Sequence, residues 1–192
     1  MTTAAPKTAA RHAAEEALLD AAERLLADAG YASITTRRLA EEAGVNHGLV
    51  HYYFGSNENL LVRALERFTA RLIARQRQLY AADMPFTEKW RTAISYLIRD
   101  DAGYEKIWLE LQALAWNNTG IRERLARVNA EWRAVLTGAF DQPRRELGIE
   151  LPLEALVSLV MTFNLGIMVE RLGGIETGHR ELLDWIERWI SR

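Results

Sequence analysis

The chain has no cysteine, which excludes disulfides, thiolate metal sites and a thiol nucleophile, and leaves the fold indifferent to redox compartment. Proline is scarce: Pro6, Pro85, Pro143 and Pro152 are the only four in 192 residues, and each is expected where a helix breaks. No segment alternates apolar and polar residues as a half-buried strand does, so the fold class is all-α. Positive charge is not in excess either. Twenty-four Lys and Arg against 26 Asp and Glu give a formal net charge of -2, so the broad basic footprint of a non-specific nucleic-acid binder is missing. No apolar run of signal-peptide length opens the sequence. The most hydrophobic stretch, 153–169, is interrupted by Ser158, Thr162 and Asn164 and closed by Glu170 and Arg171. That reads as too short and too polar to span a bilayer comfortably, and a cytoplasmic protein with no membrane partner is expected.

What is present is concentrated in 35–60, TTRRLAEEAGVNHGLVHYYFGSNENL. A helix is predicted over 36–43 with Thr35 as N-cap and Leu39, Ala40 and Ala43 inward. Gly44 ends it, because glycine enters a left-handed conformation at no side-chain cost. Asn46 can then cap a second helix reaching about Tyr53. Val50 and Phe54 point inward at helical spacing, which leaves His47, Gly48, His51 and Tyr52 on the opposite face. Two short helices bent around a glycine with a polar outer face are helix-turn-helix logic, and that face suits a DNA groove.

Thr35, Leu39, Ala40, Ala43, Gly44, Val45, Tyr53, Phe54, Ser56, Glu58 and Leu60 together resemble the DNA-binding signature of the TetR family of bacterial transcription regulators. Two positions depart from that pattern. Asn57 stands where the family usually has a phosphate-touching lysine, and His51 where a tyrosine is common. The resemblance implies an N-terminal three-helix DNA-binding domain and a C-terminal helical domain for effector binding and dimerisation. Phosphate contacts are expected from Thr35, Arg37, His51 and Asn57, and base-edge contacts from Asn46, His47, Leu49 and Tyr52, with Gly48 on the same face. With so little bulk positive charge, binding must rest on local placement: Arg37, Arg38, helix N-termini, and an N-terminal arm carrying Lys7 and Arg11.

The remaining organisation follows from periodicity. Residues 1–12 are alanine- and threonine-rich with no apolar face and are expected to form a disordered arm. The DNA-binding domain is 13–59, its first helix over 13–29 carrying Leu18, Leu19, Ala22, Leu25, Leu26 and Ala29 as a stripe. The effector-binding and dimerisation domain is 60–192. A linking helix over 56–80 carries Arg63, Arg67, Arg71 and Arg75 at every fourth position, read as a solvated face. Further helices are predicted over about 86–99, 104–116, 121–140, 153–172 and 178–190, with a break at 100–103. The helix over 153–172 is apolar around nearly its whole circumference and needs covering on more than one side. Val157, Val160, Leu182, Ile186 and Trp189 are therefore candidate dimerisation residues, and a two-fold homodimer would present two recognition helices to half-sites about 34 Å apart.

Catalysis finds no constellation here. His47 and His51 have i, i+4 metal-ligand spacing without the intervening Glu or a third ligand, and adjacent Glu41 and Glu42 point about 100° apart on a helix. No enzyme, cofactor or metal is expected. Trp90, Trp108, Gln112, Trp116, Phe163, Asn164 and Met168 lie where the resemblance places an inducer pocket, and apolar walls with a few amides suit a small, largely apolar effector. A buried amide is costly unless satisfied, which puts Asn164 first. The expected function is a transcriptional regulator, a repressor on a palindromic operator released by an effector. The alternative on the same scaffold is a DNA-bound adaptor that contacts another protein and has no inducer. If an imidazole of the His pair meets a phosphate, operator binding should strengthen as pH falls toward about 6.5.

Overall fold

The computed structural model of the protein describes residues 4–30, 34–100 and 102–191. Along them run α1 (Ala4–Ala29), α2 (Thr36–Ala43), α3 (Gly48–Phe54), α4 (Asn57–Ala81), α5 (Phe86–Ser95), a π turn (Tyr96–Asp100), α6 (Ala102–Ala115), α7 (Thr119–Glu146), α8 (Leu153–Leu172) and α9 (His179–Ile190). No strand occurs among the described residues. The chain divides into two compact units, one of Met1–Ala70 with Ala102–Ala126, the other of Arg71–Asp101 with Arg127–Arg192.

The first unit is built on leucine. Leu18 and Leu26 of α1, Leu39 of α2, Val50 of α3, Leu60, Leu61 and Leu65 of α4, and Ile107 and Leu111 of α6 are all fully buried, each removing roughly 2 kcal/mol worth of apolar surface from water. The α1 stripe is as its spacing predicts, except that Ala29 is exposed. The arginine row on α4 is a solvated face only in part: Arg63 and Arg71 are exposed, whereas Arg67 and Arg75 are half-buried. Arg67 reaches across to α1 and donates to Glu16 at 2.6 Å, Asp20 at 2.7 Å and Glu23 at 3.0 Å, while Arg63 meets Glu15 at 2.9 Å. Spacing of four residues on one helix was matched by acids on another, a pairing that periodicity within a single helix does not reveal.

In the second unit, Trp90, Leu136, Phe140, Leu156 and Val157 form the core, with Leu183, Ile186 and Ile190 of α9 packed on it. Phe86 and Tyr80 meet the Phe140 ring edge-on at 5.3 and 6.3 Å between centroids. Arg91 of α5 holds Glu187 of α9 by a two-pronged ion pair, which draws the Glu187 carboxyl below its ordinary range.

Four expectations change. Helix α1 starts at Ala4, inside the segment expected to be a disordered arm. Alanine has the highest helix propensity, Pro6 falls in the first turn where its missing N–H breaks no bond, and the packed part of α1 has already met the cost of nucleation. Pro143 lies inside α7, because only one turn follows it and a single backbone bond is forfeited. The break expected at 100–103 is a π turn leading into α6, which contains Gly103. Arg171 of α8 donates to the carbonyls of Leu97, at 3.2 Å, and Ile98, and the Arg75 guanidinium lies 3.9 Å from the Tyr96 ring centroid, so the widened turn has external partners. Finally, α8 at 20 residues is long and apolar enough to cross a membrane by length and composition, against the expectation that it is too short and too polar.

Candidate nucleic-acid interface

The bend between α2 and α3 is made by local chemistry. Thr35 Oγ1 accepts from the Arg38 N–H at 3.1 Å and caps α2, a contact worth about 1 kcal/mol. Gly44 closes the helix at φ 67°, with its N–H returning to α2 carbonyls. Asn46 Oδ1 then accepts from the Gly48 N–H at 2.9 Å, so the amide predicted to cap the second helix does so. Ser56 Oγ caps α4 through the Asn59 N–H at 3.2 Å. With Val50 and Phe54 buried, His47, Gly48, His51 and Tyr52 are all exposed, and Tyr52 shows 66% of its surface. Leu49 is half-buried. This is the face that the helical spacing predicts.

Two side chains on it have defined states. His51 Nδ1 lies 3.0 Å from the Gly55 carbonyl oxygen, which fixes Nδ1 as the protonated nitrogen and turns Nε2 outward as an acceptor in the neutral ring, a donor only in the imidazolium. Asn57 heads α4 with its Oδ1 buried and without a donor, so the neutral amide in the family's lysine position is partly taken out of the surface.

The cations near this face are mostly committed. Arg24 pairs with Glu42 at 2.9 Å and Arg37 with Glu41 at 2.7 Å, and that hydrogen bond to Glu41 raises the Arg37 pKa. The exposed Arg11 is different: its guanidinium stands 5.5 Å from the Tyr52 ring centroid and 5.8 Å from that of Tyr53. Sequence reasoning placed Arg11 in an arm without structure and so missed its position against the recognition helix; the alanine-rich run before it was the available signal.

Residues 18–64 match the family described as bacterial regulatory proteins, TetR family. The chain carries a TetR-family module over these residues. Over 94 residues it is 35% identical to the HTH-type transcriptional regulator BetI of Rhizobium meliloti (strain 1021), a match covering 49% of this chain and 44% of BetI. Over 186 residues it is 25% identical to the HTH-type transcriptional repressor AcnR of Corynebacterium glutamicum, covering 91% of each. Its fold is that of a TetR transcription regulator from Haloarcula marismortui, with TM-score 0.74, 19% identity, and 92% of this chain and 95% of that chain covered. The matched module and the regulators that share it point to a DNA-binding transcriptional regulator and not to an enzyme.

The other predicted site residues belong to both units. Trp108, stacked on Tyr104 at 6.3 Å, is buried in the first unit with Gln112 half-buried on the same helix. Trp116, just past the end of α6, is 82% exposed and lines no interior. Trp90, Phe163, Asn164 and Met168 belong to the second unit. Of the dimerisation set, Val157 is 1% exposed within its own core, with Val160 and Ile186 packed on that core; only Leu182 and Trp189 face outward. The outward face of α8 carries Leu159, Leu165, Val169 and Leu172 instead, and that of α9 carries Leu182, Trp185 and Trp189. On a helix apolar all round, two stripes share the same spacing, and only packing tells the inner from the outer.

Proposed function

We propose that this protein is a TetR-family repressor that binds a palindromic operator as a homodimer and is released by a small, largely apolar effector. The exposed apolar face of α8 and α9 carries the proposal. Leu159, Thr162, Gly166 and Val169 recur along one side of α8, with nothing within 4 Å of where a Cβ on Gly166 would lie; a small residue there lets a second helix approach closely. Leu182, Trp185 and Trp189 are likewise exposed on α9. Large apolar residues exposed in this number are kept from water by a partner, and a second copy supplies the two-fold symmetry that a palindrome mirrors.

DNA contact is assigned to the module 13–59: Thr35, Arg37, His51 and Asn57 to phosphates, and Asn46, His47, Leu49 and Tyr52 to base edges, with Gly48 permitting close approach. The region 60–192 is assigned to dimerisation and the effector. Support for an effector comes from two amide carbonyls of the second unit, Gln76 Oε1 and Asn164 Oδ1, which are buried and have no donor; a ligand bearing N–H or O–H groups would satisfy them. The repressor reading is supported by AcnR being named a transcriptional repressor, and the cytoplasm, where the operator would be, is the location it implies. Selection of bound fragments from random duplex DNA is the test. Recovery of an inverted repeat with half-site centres about one helical turn apart, or a multiple of it, is the expected result, and recovery of single, unrepeated sites would overturn the homodimeric reading.

A further inference from the structure

The second unit holds a cavity of about 640 Å³ at the C-terminal ends of α4 and α7 and the start of α5, within the size range of small-molecule sites. None of the residues predicted to bind an effector lines it. It is an open cleft whose wall is about half apolar, formed by Tyr80, Phe86, Val135, Ala139 and Pro143 among others. Two cations stand at the same cavity. Arg77 is exposed and makes no ion pair among the described residues, in contrast to Arg24, Arg37, Arg67, Arg91 and Arg124, each of which is matched by a carboxylate. The Lys89 ammonium donates to the Tyr80 carbonyl at 2.8 Å and keeps two further donors. The one acid in the lining, Glu146, accepts from the Gln142 amide at 2.6 Å and keeps its negative charge, so Arg77 and Lys89 leave the cleft with a net charge of +1.

Gly138, an exposed residue of α7, lines the open side of the cleft, and a Cβ built on it would meet nothing within 4 Å. Glycine in a helix interior costs about 0.5–1 kcal/mol relative to alanine, and its missing side chain leaves the cleft open there. Room beside two cations and one carboxylate, with an aromatic wall, suits an amphipathic anion.

We propose that this cavity binds a small monocarboxylate with an apolar tail, the carboxylate on Arg77 and Lys89 and the tail along Phe86, Val135 and the open strip over Gly138. A guanidinium and a carboxylate form paired, charge-assisted hydrogen bonds, and an apolar tail of eight to twelve carbons suits a cleft of this size. The site is separate from the buried amides Gln76 and Asn164, and the proposal does not rest on operator release.

Isothermal titration of the full-length protein with decanoate, decanol and decyltrimethylammonium, below their micelle concentrations, tests it. Decanoate is expected to bind at least about tenfold more tightly than decanol, as one charge-assisted contact implies, and the cation not at all. Arg77→Gln is expected to remove that preference for the carboxylate, and Gly138→Leu to abolish binding of both chains while leaving the thermal midpoint unchanged or higher. Equal affinity for decanoate and decanol, or unaltered decanoate binding in Gly138→Leu, would overturn the proposal. Operator binding by the same variants, measured without any added carboxylate, reports separately on the regulator reading; its loss would count against that reading and leave the carboxylate site standing.

Discussion

The two units solve the same problem of stability in opposite ways. The first encloses a dense leucine core and surrounds it with cations that already have acids: Arg67 on Glu16, Asp20 and Glu23, Arg63 on Glu15, Arg24 on Glu42, Arg124 on Glu66. What it exposes, Trp116 apart, is mainly polar, as on the face of His47, His51 and Tyr52. The second has a smaller aromatic core and exposes Leu159, Val169, Trp185 and Trp189. One unit is finished by its own chain; the other leaves an apolar surface that the proposed homodimer would cover. The face proposed to read sequence can stay solvated until DNA arrives, whereas burial of an apolar face is favoured throughout.

Breaking the second unit's dependence should have the largest effect. The double variant Leu159→Glu, Trp185→Ala is expected to sediment as a monomer at micromolar concentration and to lose operator affinity by more than about 100-fold, since the second half-site contributes only when subunits are joined. A parent protein that is itself monomeric and partitions onto lipid vesicles would give α8 a membrane role instead. Next comes Tyr52→Ala on the first unit, expected to weaken operator binding by roughly 10- to 100-fold, in line with loss of a base-edge contact, with an unchanged thermal midpoint because the side chain is 66% exposed. A matching loss of stability would reassign Tyr52 to packing.

Arg67→Met sharpens the contrast from the side of stability. It strands the half-buried Glu23 and leaves Glu16 and Asp20 unmatched, and is expected to lower unfolding free energy by about 2 kcal/mol. Burial opposes the Arg67 charge, and its bonds to Glu23, Glu16 and Asp20 outweigh that, leaving its pKa raised. A variant as stable as the parent in urea titration would show that the leucine core alone suffices. A smaller effect is expected at His51, which stands exposed on the same face: His51→Ala should weaken operator binding by a few-fold, in line with loss of one phosphate contact. Unchanged affinity would exclude it.

The smallest effect belongs to the exposed pair Arg91 and Glu187. Because the folded Glu187 carboxyl sits below its ordinary range, the pair contributes above the unfolded value of about 4.3 and its contribution is lost as pH falls through the folded value. Arg91→Gln should therefore shift the thermal midpoint by no more than about 2 °C at pH 7, as an exposed ion pair implies, and by less at pH 3. An equal shift at both values would mean that Arg91 acts through packing.

Much of the recognition module was legible because its determinants are local. A cap at Thr35, a left-handed Gly44, an amide at Asn46 and inward Val50 and Phe54 fix the helix boundaries and the outer face within about twenty residues of chain, and the same applies to α8, whose ends at Leu153 and Leu172 follow from Pro152 and Gly173. Short-range hydrogen bonds and backbone preferences act between near neighbours, so sequence alone determined those elements and the chemistry that they present. Tertiary structure decided what depends on distant partners: that Arg67 is clasped by α1, that Arg11 stands on Tyr52, that Val157 points inward while Leu159 and Trp185 point out, and that Gly138 and Arg77 share a cavity. Two faces of one helix can have the same spacing and composition, and burial of the one that meets a neighbour is settled only when the chain has closed on itself.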